Sequence, residues 1–234
     1  MGHGIPLTIL VNYTWSKNLD DMPEAGGAAG PSEGQSSSLP WYLPNRHQND
    51  YGPAIFNVPQ NFVTSYVWDL PKLEKFNPGL RTALGDWQLT GILSAHSGYP
   101  ITADSSGDRS LTGLGNDRSV IVGAPYGGNA CGSSSPCVNF LNPASFQQPA
   151  LGGFGNIGKD TLIGPKMVNW DMGFFKSIPI RENSRIEFRA EFFNVFNRAN
   201  FTPANLPRVG SGGFGRITSA ADPRIGQLAL KLVF

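Results

Sequence analysis

The chain has 234 residues, 15% of them charged, and a net charge of +1 at pH 7. Globular domains carry roughly 25% charged residues, and 29 Gly with 19 Pro suit strands joined by turn-rich loops better than helices. At a net charge of +1 nothing argues for polyanion binding, so no nucleic-acid partner is expected. No run of about 18 apolar residues is present to cross a bilayer as a helix, although barrel strands need only about 9–11 residues with alternate ones apolar.

The first residues, Met-Gly-His-Gly-Ile-Pro, lack the charged and apolar regions of a secretory leader. Alternation then begins. Side chains along a strand point to opposite faces with a period of two, and residues 7–16 place Leu7, Ile9, Val11, Tyr13 and Trp15 on one face. Thr8, Asn12, Thr14 and Ser16 fall on the other, with Leu10 as the apolar exception. A second strand is predicted over 61–70, with Phe62, Tyr66, Trp68 and Leu70 on a face. A third, over 86–97, opposes Trp87, Leu89, Leu93 and Ala95 to Gln88, Thr90, Ser94 and His96. A short stretch, 119–122, is expected to pair locally inside a loop.

The fourth strand, 167–177, sets Val168, Trp170, Met172 and Phe174 against Asn169, Asp171 and Gly173. In the fifth, 184–196, Ile186, Phe188, Ala190 and Phe192 oppose Arg185, Glu187, Arg189 and Glu191. Alternating signs make these four charges a poor catalytic pair and a natural salt-bridged wall on a hydrated lumen. The sixth, 225–234, carries Leu228, Leu230, Leu232 and Phe234 on one face and Gln227, Ala229, Lys231 and Val233 on the other. The aromatics Tyr13, Trp15, Tyr66, Trp68, Trp87, Trp170 and Phe234 are expected in interfacial girdles, where a ring is apolar and its N–H or O–H stays wet.

Connections of about 44, 15, 70, a few and 28 residues follow one another. Outer-membrane barrels alternate long external loops with short periplasmic turns in this way. The expected fold is therefore all-β: an antiparallel meander of about six long strands, part of a transmembrane β-barrel with long extracellular loops. The cellular location expected for it is the bacterial outer membrane.

Motifs that could carry chemistry are weak. Gly153 to Gly158 matches G-x-G-x-x-G, but no helix opening follows it, so a Gly-rich turn is expected. The hexapeptides 152–157 and 212–217 echo one another, which suggests similar loop geometry ahead of a strand. Asp104 to Asp108 lacks the glutamate of an EF-hand and reads as turn chemistry. His3, His47 and His96 have no metal-ligand spacing, and no G-x-S-x-G elbow is present. No catalytic, cofactor or metal site is expected, and the chain reads as a non-enzyme. Cys131 and Cys137, the only cysteines, suit a local disulfide in an oxidising compartment, with free thiols as the alternative.

Several segments resemble one family. They are Asn12-Tyr13-Thr14-Trp15-Ser16-Lys17, Gly85-Asp86-Trp87-Gln88-Leu89-Thr90-Gly91-Ile92 and Ser97-Gly98-Tyr99-Pro100-Ile101-Thr102. Further on come 169–176, Asn-Trp-Asp-Met-Gly-Phe-Phe-Lys, then 189–197, Arg-Ala-Glu-Phe-Phe-Asn-Val-Phe-Asn, and the terminal strand from Asp222. Together they resemble the C-terminal barrel of TonB-dependent outer-membrane transporters, of the Oar-like kind with a carboxypeptidase-regulatory-like N-terminal domain. The resemblance implies a large barrel, commonly of 22 strands, filled by a plug that touches TonB and admits a nutrient. Residues 1–234 would then be the C-terminal barrel segment, without signal or plug, completed by further sequence. Its partners would be outer-membrane lipid, the rest of the barrel and plug, and TonB through the plug alone. By the same resemblance, Leu228, Leu230, Leu232 and Phe234 would be read by the barrel-assembly machinery. The rival reading is a secreted soluble β-sandwich for binding or adhesion, with the aromatics as core and sugar platforms. A hydrolase has almost no support.

Overall fold

The structure is a computed structural model, and it describes residues 6–21, 44–113, 116–131, 136–181, 184–203 and 206–234. Six long strands form one antiparallel sheet in simple chain order. They are β1 (Leu7–Trp15), β2 (Gln60–Asp69), β3 (Trp87–His96), β4 (Met167–Arg181), β5 (Ser184–Phe193) and β6 (Ile225–Val233). Each pairs only with its neighbours in sequence, so the sheet is an up-and-down meander with β1 and β6 at its edges. The connections after β1, β3 and β5 leave from one end of this sheet, and those after β2 and β4 from the other.

The register decides what the sheet is. Residues directly opposite across an antiparallel pair share a face. Tyr13 opposes Phe62, Phe62 opposes Ala95, and Ala95 opposes Val168. Lower down, Leu7 aligns with Trp68, Leu89, Phe174, Ala190 and Leu228 across all six strands. The apolar half of every strand therefore lies on one continuous side. A slip of one residue at any pair would have scrambled it. Leu228 and Leu230 are 71% and 72% exposed, so this side covers no soluble core. No second sheet of comparable size packs against it among the described residues, which removes the β-sandwich reading.

Two boundaries differ by more than one residue from the sequence-based expectation. The fifth strand stops at Phe193 rather than 196 because Asn194 and Asn197 adopt φ of 50° and 51°. Asparagine tolerates that left-handed region better than most residues, and it ends the ladder there. The fourth strand runs on to Arg181, with a register shift between Pro179 and Arg181. A proline at such an irregularity removes no ladder bond that the sheet needs. The connection after β2, for which the sequence indicated only a length of about 15 residues, contains a helix, Pro78–Leu84. Asn77 caps it by accepting from the Leu80 N–H at 2.8 Å, and Pro78 sits in its first turn.

Small residues in the strands make room for large ones. A Cβ on Gly91 would lie 2.4 Å from the Tyr66 hydroxyl oxygen, because the tyrosine ring leans over that glycine. The hydroxyl accepts from Trp170 Nε1 at 3.2 Å, tying β2 to β4 across β3. Phe192 covers Gly226 in the same manner between β5 and β6. Gly91→Ala should displace the Tyr66 ring and cost about 1–3 kcal/mol, the range for overpacking. The cost should largely vanish in a Tyr66→Ala background, as read by urea midpoints of the protein folded in detergent.

Candidate functional site

The apolar side has the dimensions of a membrane band. From Val168 to Ile178 along β4 are ten residue steps. At about 3.3 Å each and a tilt near 40°, they span about 25 Å, the height of a barrel's outward apolar band. Rings mark both ends. Tyr13 and Trp15 lie at the end from which the long connections leave, and Trp68 and Trp87 lie at the other. Trp87 donates Nε1–H to the Ala83 carbonyl at 2.9 Å and meets Phe188 edge-on at 5.9 Å. Tyr66 and Trp170 correct the girdle expectation. They stand further in from the ends and satisfy one another by the hydrogen bond described above. Phe234 follows the last paired residue, Val233, and is exposed.

One cation sits on this side. Lys176 lies opposite Trp87 and Phe188, yet it is buried. Its Nζ donates to the Gly85 carbonyl and stands 5.2 Å from the Trp87 ring centre. A lysine reaching along a strand toward the interface keeps its charge satisfied beside hydrocarbon.

The opposite side is polar and charged. Arg185 donates Nε–H to Glu187 Oε1 at 2.9 Å, and Arg189 approaches Glu187 Oε2 at 3.6 Å. Lys231 stands directly across from Glu187, and Gln227 donates to Glu191. Arg189 also lies 5.9 Å from the Phe175 ring centre. Arg185, Glu187, Arg189 and Glu191 thus form one ladder on this side. Half-exposed pairs of this kind contribute little stability individually, about 0–1 kcal/mol each. His96 belongs to the same side, with its Nδ1 donating to the Ser97 carbonyl at 2.7 Å. His3 lies outside the described residues, as does the side chain of His47.

The connections hold the larger surprise. Among the described residues, nearly all of the buried apolar side chains belong to them, with Ala190 the exception in the long strands. Ile101, Ala103, Leu141, Phe146, Ile157, Leu162, Leu206, Val209, Phe214 and Ile217 make one core. These residues come from the connections after β3 and β5. Short pairings knit them: Val138–Leu141 stands between Tyr126–Ala130 and Arg216–Ile217, and Ser105 bridges Val209. The expected local pairing near 119–122 is present, with Val120–Ile121 against Phe146–Gln147. Cys131 and Cys137 are joined in a disulfide, with their Cα atoms 5.4 Å apart, at the end of the 126–141 hairpin.

The connection after β1 is strapped on by buried charge. Lys159, whose side chain is 1% exposed, pairs with Asp20, and Arg118 pairs with Asp50. Arg118 also donates to the Asn49 carbonyl at 2.8 Å. Backbone packing is close at the same seam: a Cβ on Gly52 would fall 2.4 Å from the Lys159 carbonyl oxygen. Asp160, next to Lys159, accepts from the Thr102 hydroxyl at 2.9 Å, and its other oxygen is buried with no hydrogen bond among the described residues. Burial holds its carboxyl above the ordinary value, against the opposing pull of that hydroxyl and of the Lys159 and Arg118 cations.

The remaining motifs resolve into architecture. Asp108 accepts from the Gly113 N–H at 2.7 Å, the Thr112 N–H at 3.0 Å and the Ser110 hydroxyl at 3.2 Å, so it caps its own turn. These donors, Gly113 first, hold the Asp108 carboxyl below its usual range. No helix follows Gly158; instead Asn156 accepts from the Ile121 N–H at 2.7 Å and fixes a loop. The two echoing hexapeptides do not share a geometry. Left-handed φ falls at Gly152 in the first and at Gly213 and Gly215 in the second, and Phe154 is exposed where Phe214 is buried. What they share is an isoleucine, Ile157 or Ile217, in the common core.

A role emerges for the Phe-Phe-Asn-Val-Phe-Asn stretch that its composition did not announce. The Asn194 N–H donates to Asp171 Oδ1 at 2.9 Å, and its side-chain amide donates to the carbonyls of Arg198 and Asp222. Asn197 Oδ1 accepts from the Arg224 N–H at 3.0 Å. The two asparagines thereby close the exit of β5 onto β4 and onto the lead-in to β6.

A single sheet with an apolar band on one side, a charged ladder on the other and its long connections at one end is the wall of a membrane β-barrel. Comparison with known families agrees: residues 1–227 match the family described as "Outer membrane beta barrel domain", and the chain belongs to it. It is accordingly a protein of the bacterial outer membrane. No curated protein and no solved structure matches it.

Two outcomes follow for the packed connections. Arg118→Met leaves the Asp50 carboxylate buried without its cation and should destabilise this body by about 3–5 kcal/mol. Hydrogen exchange over 97–166 should accelerate accordingly while the strands stay protected. The second concerns pH. A carboxyl with a raised pKa holds its proton more firmly folded than unfolded, so stability falls as pH climbs from the unfolded carboxylate range through the raised value. Asp160→Asn should match wild type in acid and become the more stable of the two toward neutral pH, by the same exchange measurement.

Proposed function

We propose that this chain builds part of the wall of a TonB-dependent transporter that takes up a nutrient across the outer membrane. The observation that carries the reading is the packed body made by the long connections, all at one end of the sheet. Such a body can hold a ligand at the mouth of a lumen, where unstructured loops would have to order first. In this reading the long connections are extracellular, and the ladder from Arg185 to Glu191 faces the water of the lumen.

Six strands fall short of the roughly eight that even a small barrel requires. The free edges of β1 and β6 expose backbone groups that hydrocarbon does not satisfy. Additional strands complete the barrel in this account, and the contact with TonB belongs to a plug outside residues 1–234. Leu228, Leu230, Leu232 and Phe234 form the terminal signal that the barrel-assembly machinery binds as a strand.

Leu230→Arg tests the wall and the signal together. A cation at mid-membrane on the lipid side costs about 2–4 kcal/mol, so the folded, heat-modifiable form should disappear from outer-membrane fractions. Ala229→Arg, on the opposite side, should assemble normally. Energy coupling is tested by comparing growth on a nutrient panel after loss of this protein, of TonB, and of both. One shared defect with no additional loss in the double mutant is expected; additive defects would contradict TonB dependence.

A further inference from the structure

A recess of about 480 Å³ opens beside the outer row of the apolar side. That volume falls within the range of ligand sites, about 300–1,000 Å³. Its floor is one cross-strand row, Tyr13, Phe62, Ala95 and Val168. The alanine supplies the depth, since the larger side chains of that row stand around it. Phe140 and Ile163, from the packed connections, form the facing wall. Their positions are fixed from behind: Phe140 meets Tyr126 edge-on at 5.5 Å, and the Tyr126 hydroxyl accepts from the Ile163 N–H at 2.9 Å. Lys166 stands exposed at the rim, and no ion pair engages it among the described residues.

We propose that this recess binds an acyl chain of an outer-leaflet lipid, with Lys166 holding the lipid's phosphate. The floor is continuous with the membrane side of the sheet, so hydrocarbon is the medium it meets. The recess lies at the outer end of the apolar band, where head groups begin. A cation at such a rim forms a charge-assisted hydrogen bond to phosphate, and an apolar hollow one alanine deep takes a chain rather than a sugar. The occupant is a phosphorylated, multiply acylated glycolipid of the outer leaflet. This assignment rests on the proposed orientation, with the long connections outside.

The test uses the protein in nanodiscs of phosphatidylglycerol with lipid A, followed by gentle extraction and native mass spectrometry of the folded, heat-modifiable fraction. Wild type should retain lipid A. Lys166→Glu, which alters only an exposed side chain, should retain about tenfold less, the effect of one lost charge-assisted contact. Ala95→Trp should retain none, because the indole fills the hollow. Equal retention by all three proteins, or retention of phosphatidylglycerol in place of lipid A, would overturn the proposal. An epitope inserted after Leu151 and stained on intact cells reports the orientation separately. A stained epitope with no lipid preference refutes the recess alone, and an unstained one refutes the orientation.

Discussion

Inside hydrocarbon, every backbone N–H and C=O must find its partner within the protein, and each failure costs several kcal/mol. The six-stranded ladder is the response to that constraint, and the rest of the molecule depends on it. Once the ladder is set, the period of two allocates every side chain to lipid or to water. Register becomes the decisive variable, because a slip by one residue would carry Arg185, Glu187, Arg189 and Glu191 to the oily side. The chain fixes it with shape. Tyr66 over Gly91 and Phe192 over Gly226 favour the observed alignment of their strands, because each ring occupies the space that a Cβ there would need. Asp171 and Asn194 then lock the outer end of β4 to the exit of β5.

The sheet itself has almost no core. Apolar burial, which usually folds a domain, is concentrated in the connections, where two long loops share a cluster from Ile101 to Ile217. The molecule thus joins two kinds of stability. The wall relies on backbone pairing and surrounding lipid, and the outer body relies on water-driven burial and two ion pairs, one enclosed and one with its aspartate at the surface. Those pairs, Lys159 with Asp20 and Arg118 with Asp50, are specific rather than strongly stabilising. They fix how the first connection lies on the second, which is what a shaped outer surface requires.

Alternation made all six strands legible in the sequence, four of them to within a residue at each end, since two-sidedness between lipid and water leaves a pattern of period two. The same pattern carried the charged ladder and the placement of Leu228, Leu230 and Leu232. The outer body was not legible for a physical reason. Its strands are two to five residues long, and its core residues are scattered among Gly, Ser and Pro, so no window shows a period. Ile157 and Ile217 were visible only as a short echo, and its geometric reading failed. The helix Pro78–Leu84 had a readable Asn-Pro start that the surrounding turn residues concealed. Pairing of distant charges, such as Asp20 with Lys159, leaves no local trace at all.

The central claim is that one side of this sheet meets lipid and the other meets water. Nitroxide labels placed singly at positions 185 to 192 of β5, with the protein in bilayers, test it most directly. Labels at 186, 188, 190 and 192 should be relaxed by oxygen dissolved in the hydrocarbon, and those at 185, 187, 189 and 191 by a water-soluble nickel chelate. A strict alternation between the two is the expected result. Uniform access to either reagent along the strand, or alternation of the opposite phase, would contradict the account.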